Sequence, residues 1–125
     1  EDAPVAAIRA RAGKNFIIGA TAKTVEQAQR AEREGADYLG VGAVFPSPTK
    51  QSAIRITNEQ LREICASVTI PAVAIGGITQ KNVASLKGSD MAGIAVVSAI
   101  FGADDILAAA RSLKERAIEV TRGEA

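Results

Sequence analysis

Apolar positions along the chain fall into two alternating patterns. Four short runs, residues 15–19 (NFIIG), 37–45 (DYLGVGAVF), 71–77 (PAVAIGG) and 93–101 (GIAVVSAIF), are nearly continuous in apolar or small residues, as strands covered on both faces are. The stretches DAPVAAIRARAG, TVEQAQRAEREG, TNEQLREICAS, TQKNVASLKG and ADDILAAARSLKERAIEV instead mix apolar and charged positions at helical spacing. Helices alternating with apolar strands specify a parallel sheet with helical crossovers. Local chemistry marks the helix ends: Thr24 with Gln27 and Thr57 with Gln60 stand at capping-box spacing, and Gly35 and Gly88 sit where a left-handed residue ends a helix. Every connection can be short and no low-complexity tract interrupts the pattern, so residues 1–125 read as one domain.

Four parallel strands with five helices fit either a small doubly wound sheet or half of a (β/α)8 TIM barrel. Three successive strand ends carry glycine or small hydroxyl residues: FPSPTK, IGGIT and VSAIFG. In a barrel the last two such loops commonly build a phosphate site from backbone N–H groups, which favours the barrel. In the first of the three, Pro46 and Pro48 end the ladder and stiffen the loop, holding the Ser47 and Thr49 hydroxyls and the Lys50 ammonium at the strand end. Taken alone, that string also describes a turn with a solvated lysine. Gly76 and Gly77 allow close approach of the backbone to an anion, or merely a tight turn. Val97 and Ser98 offer N–H donors near a helix start, although Ser98 also suits ordinary packing.

Charge and composition restrict the partners. With 15 basic and 14 acidic residues the net charge is +1, which suggests neither a nucleic-acid nor an anionic-membrane binder, so any anion is bound locally. The longest apolar run, residues 92–103, falls short of the roughly 18 residues a membrane helix requires. The first residues carry acids where a signal peptide carries bases, which reads as a soluble, cytoplasmic protein. Cys65 has no disulfide partner and reads as a buried thiol on a helix face. The absence of histidine excludes a histidine base, a His-zinc site and every Ser-His or Cys-His pair within this sequence.

The combination of GADYLGVGAVFPSPTK, IPAVAIGGI and GIAVVSAIFGADD resembles the C-terminal half of the thiamine phosphate synthase family, whose members are (β/α)8 barrels. The resemblance runs over nearly the whole chain. It implies a transferase that joins a hydroxymethylpyrimidine diphosphate to a thiazole phosphate and releases pyrophosphate, with Mg²⁺ as cofactor. The family mechanism ionises the pyrimidine methylene from its diphosphate, so stabilisation of the leaving group matters more than a strong base. Position by position, the resemblance makes Lys50 a ligand of the pyrimidine diphosphate and sets Ser47, Pro48 and Thr49 against the thiazole phosphate. Gly77, Val97 and Ser98 complete that pocket. Thr21 matches a hydroxyl position that contacts the diphosphate, so Lys50 and Thr21 are the implied catalytic residues. Asp2 matches one of two Mg²⁺-binding aspartates, and it would equally serve as an N-cap before Ala3-Pro4.

Departures from the family matter too. The family's N-terminal half supplies the pyrimidine-recognition residues and the other metal aspartate, for which nothing here stands. The start at Glu1 suggests an excised or engineered half, and AIRITNEQL lacks a glycine that the family tends to place before its helix. A tautomerase branch uses a histidine in the neighbourhood of Lys23, which reads here as a surface residue. Two expectations follow from the half-site: a synthase half inactive by itself, or a non-catalytic half-barrel that at most binds phosphate. The expected partners are small phosphorylated substrates, together with a second copy or a complementing N-terminal half. Either would close the sheet edges over an inner layer that includes Ile18, Val41, Val73 and Val96.

Overall fold

The computed structural model describes residues 4–45 and 56–121. Its strands are β1 (Gly19–Ala22), β2 (Tyr38–Val41), β3 (Ala72–Ile75) and β4 (Gly93–Ala95). They form one parallel sheet in the order β1-β2-β3-β4, so β1 and β4 are its edges. The α-helices among the described residues are α1 (Val5–Ala12), α2 (Val25–Glu34), α3 (Asn58–Ser67), α4 (Ser98–Phe101) and α5 (Ile106–Val120). A single 3-10 turn, Val83–Leu86, joins them. None of these helices is long and apolar enough to cross a membrane.

The core lies on the helix-covered face of the sheet. Leu39, Val41, Ala72 and Ala74 are buried there with Leu61 and Ile64 of α3, and with Val83, Leu86 and Met91. Side chains alternate across a strand, so the intervening positions point the other way. Tyr38 and Ile75 are 42% and 41% exposed on that open face, and Val73 is only half-buried. The expected inner layer is therefore corrected. Val41 is fully buried under the helices, Ile18 is buried at the same parity of its strand, and Val96 packs against the core. Only Val73 of the four belongs to the open face.

Three element boundaries also differ from expectation. The run 15–19 is not the strand; the ladder begins at Gly19, because the hydrogen-bonding partner positions Tyr38–Val41 face Gly19–Ala22. The segment 79–88 does not form an α-helix. The Asn82 side chain accepts from Thr79 N–H at 2.7 Å and donates to the Gly77 carbonyl at 3.0 Å, while Ser85 Oγ bonds the Asn82 carbonyl at 2.7 Å. These local bonds compete with an α-helical ladder and leave a 3-10 turn. The apolar run 93–101 pairs only to Ala95, after which the Val97 carbonyl accepts from Ile100 and Phe101 N–H and α4 begins.

Capping chemistry agrees more closely. Thr57 and Gln60 form a complete capping box on α3. At α2 the Thr24 hydroxyl accepts from Gln27 N–H, but the Gln27 side chain turns to Lys23 N–H at 2.8 Å. Gly35 closes α2 in the left-handed conformation. Cys65 is half-buried rather than enclosed.

One arginine ties the amino ends of the strands together. Arg9 on α1 donates to the carbonyls of Gly13, Phe16 and Gly35 at 2.6 Å and pairs with Asp37 at 2.7 Å. Asp37 in turn accepts from Ile18 N–H at 2.8 Å. A planar guanidinium with five donors suits such a junction.

Candidate functional site at the strand ends

Parallel α/β sheets gather ligand-binding groups beyond the carboxyl ends of their strands, because every crossover loop there leaves a strand and enters a helix. Four such ends are built here. On β1, Thr21 is exposed on the open face, level with Gly40, Val73 and Gly93 of the neighbouring strands. Two residues on, Lys23 reaches sideways and its ammonium donates to the Gly42 carbonyl at 3.0 Å.

Beyond β2 the chain continues beside β3, where Val44 N–H and Phe45 N–H donate to the Ile75 and Gly76 carbonyls at 3.1 Å. Ile56 N–H bonds the Ala43 carbonyl at 2.7 Å, joining the chain just before α3 to the chain just after β2. Ser47, Pro48, Thr49 and Lys50 lie outside the described residues. Asp2 lies outside them as well.

Beyond β3, Gly76 and Gly77 have φ of +102° and +66°, a left-handed pair that reverses the chain. A Cβ at Gly76 would come within 2.7 Å of Ala43, so the backbone passes where no side chain fits. The turn is fastened by the Asn82 bond to the Gly77 carbonyl and by Ser112 Oγ of α5, which bonds Gln80 at 2.6 Å. Beyond β4, Val97 and Ser98 precede the first intrahelical bonds of α4. The last pair of the β3–β4 ladder is Ile75 with Ala95, so Gly77 and Val97 each lie two residues beyond it. Val97 and Phe101 are 72% and 70% exposed at this rim.

Hydrogen bonds and ion pairs lower the pKa values of three carboxylates. The Thr69 hydroxyl and amide hold the Glu32 carboxyl below its usual range; Arg30 and the Ala6 amide do the same for Glu34. The Ile18 amide and then Arg9 lower Asp37. All three carboxylates lie by the amino ends of the strands, on the last turn of α2 or just before β2. Among the described residues the ion pairs are Arg9–Asp37 and Arg30–Glu34, so neither engages Lys23. A cavity of about 600 Å³, lined by Val5, Ile8, Ile18, Thr21 and Arg30 among others, opens along the outer edge of β1, so it takes in Thr21 but none of Gly77, Val97 and Ser98.

The structure thus brings Thr21, Gly77, Val97 and Ser98 to one end of the sheet. Asn82 and Gln80 shape the same end, and the sequence pattern had not singled them out for it; Lys23, read as a surface residue, is exposed there too. The tautomerase comparison pointed to the neighbourhood of Lys23, but the bond to Gly42 depends on strand pairing.

Comparison with known proteins gives consistent results. Residues 1–100 match the thiamine monophosphate synthase family. A thiamine-phosphate synthase from Clostridium tetani is 46% identical over 113 residues, covering 90% of this chain and 54% of the relative. One from Pyrococcus abyssi is 48% identical over 120 residues, covering 96% of this chain and 58% of the relative. The solved structure of a thiamine phosphate pyrophosphorylase from Pyrococcus furiosus superposes with a TM-score of 0.85 at 43% identity, over 96% of this chain and 57% of that one. The chain spans little more than half the length of these relatives.

Proposed function

This chain belongs to the thiamine monophosphate synthase family, and from that premise we propose that it is the phosphate-holding half of a thiamine phosphate synthase. Its four strands are four of the eight in a (β/α)8 barrel, residues 1–125 forming one half-barrel domain. The observation that carries this reading is the convergence of Thr21, Gly77, Val97 and Ser98 at the carboxyl ends of one parallel sheet. In the proposed site the backbone at Gly77 and the N–H groups at Val97 and Ser98 hold the thiazole phosphate, with Ser47, Pro48 and Thr49 on its other side. Lys50 and the Thr21 hydroxyl bind the pyrimidine diphosphate. As the methylene–oxygen bond to the diphosphate breaks, negative charge grows on the leaving group, and donors fixed beforehand favour that change.

Mg²⁺, the family's cofactor, would neutralise the same charge when bound, with Asp2 as this chain's proposed ligand. Among the described residues no group of three His, Cys, Asp or Glu could hold a metal ion, and Asp2 lies outside them. The pyrimidine pocket and a second metal aspartate come from the other half of the barrel. That half is supplied either by a complementing N-terminal segment or, for structural closure only, by a second copy of this chain.

The test is direct. Incubated with both substrates and Mg²⁺, the chain alone releases no pyrophosphate above background, and adding a complementing N-terminal half from a relative restores turnover. Full turnover by the chain alone would overturn the half-site reading. Phosphate binding with no rescue would favour a second reading, a non-catalytic half-barrel, which the unpaired β1 and β4 edges also suit.

A further inference from the structure

Lys23 is fixed at both ends. Its backbone N–H donates to Gln27 Oε1 at 2.8 Å, anchoring it one residue before the N-cap of α2. Its ammonium donates to the Gly42 carbonyl at 3.0 Å, across the carboxyl ends of β1 and β2. It follows β1 directly and is exposed, as is Thr21 two residues earlier, whereas Ala22 between them is 1% exposed beneath the helices. An ammonium has three donors, and this bond uses one. Among the described residues no carboxylate pairs with it. A surface lysine left to solvent keeps its rotamer freedom, but this one is held, charged and unneutralised, over the rim where the loops from β1 and β2 emerge.

We propose that Lys23 is a further anion-binding residue of the strand-end site, donating to a phosphate or diphosphate oxygen beside the Thr21 hydroxyl. The proposal rests on the phosphate-holding reading of that site. Its chemistry is that of a point charge without bidentate geometry, so it recognises the charge of the group more than its orientation. The bond to Gly42 fixes the ammonium before the ligand arrives, which reduces the side-chain entropy lost on binding.

The experiment is a calorimetric titration of the 125-residue chain with inorganic pyrophosphate. A parallel NMR titration follows the ε-CH2 signals of ¹³C-labelled lysine. Lys23→Met is expected to weaken pyrophosphate binding by roughly five- to tenfold and to flatten its salt dependence. Lys23→Arg should stay within about twofold of the parent, because charge is what the site uses. Lys14→Met, at the opposite end of β1, should change nothing. A Lys23→Met variant with lowered thermal stability but parental affinity would assign the residue a structural role and sink the proposal. So would a Lys23 ε-CH2 signal that does not move. If the parent chain binds neither pyrophosphate nor phosphate, the reading of the whole site fails and the proposal with it; parental affinity in a folded Lys23→Met chain removes Lys23 alone. Should Lys23→Met fail to fold, the lysine signals of the parent and the Lys23→Arg affinity decide.

Discussion

Gly76 combines two constraints in one residue: a φ of +102° and a backbone that lies against Ala43. Any Cβ there meets both, so Gly76→Ala is expected to destabilise the chain by about 1–3 kcal/mol, read as a lower denaturation midpoint with an unchanged slope. Site residues were legible in proportion to how local their geometry is. The paired glycines after an apolar run announce a turn by composition alone, and the structure places that turn at a strand end. Ser98 was readable as a residue near a helix start, and α4 does begin there. Lys23 was readable as a surface residue, and it is exposed; its bond to the Gly42 carbonyl was not readable, because that partner lies 19 residues away and is brought near only by the β1–β2 register.

Elements are joined at the amino ends of the strands by carboxylates whose pKa values lie below their usual range. Glu34 accepts from α1 at Ala6, Glu32 fastens α2 to Thr69 ahead of β3, and Asp37 holds Ile18 and Arg9. For each group the folded state binds its proton more weakly than the unfolded chain does, so its contribution is complete at neutral pH and is lost as the pH falls through the folded value. Thermal midpoints are therefore expected to hold between pH 5 and 8 and to fall below about pH 4. Asp37→Asn, which keeps an acceptor but no charge, should shallow that acid limb. A midpoint that rises on acidification would contradict the assignment.

The same scale explains which elements the sequence disclosed. The α3 capping box is a contract between residues three apart and was readable in full. The start of β1 was not, because GATA lacks a large apolar residue and becomes a strand only through its neighbour. The fourth expected helix failed for a reason also present in its letters, a density of Asn, Ser and Thr whose side chains bond the nearby backbone.

At the scale of the whole molecule, two unpaired edges and an open face bearing Tyr38, Val73 and Ile75 favour association. Light scattering is expected to give a species at least twice the 12.9 kDa mass of one chain; a 12.9 kDa particle persisting at high concentration would show that the edges are covered from within. The sequence pattern disclosed the parallel architecture, whose alternation it carries directly, but not which side chains face which way, since a shift of one residue exchanges the faces. A further consequence belongs to the bond between Ile56 and the Ala43 carbonyl. The backbone just before α3 is thereby clasped to the backbone just after β2, so those two elements are held to each other by the main chain as well as by side-chain packing.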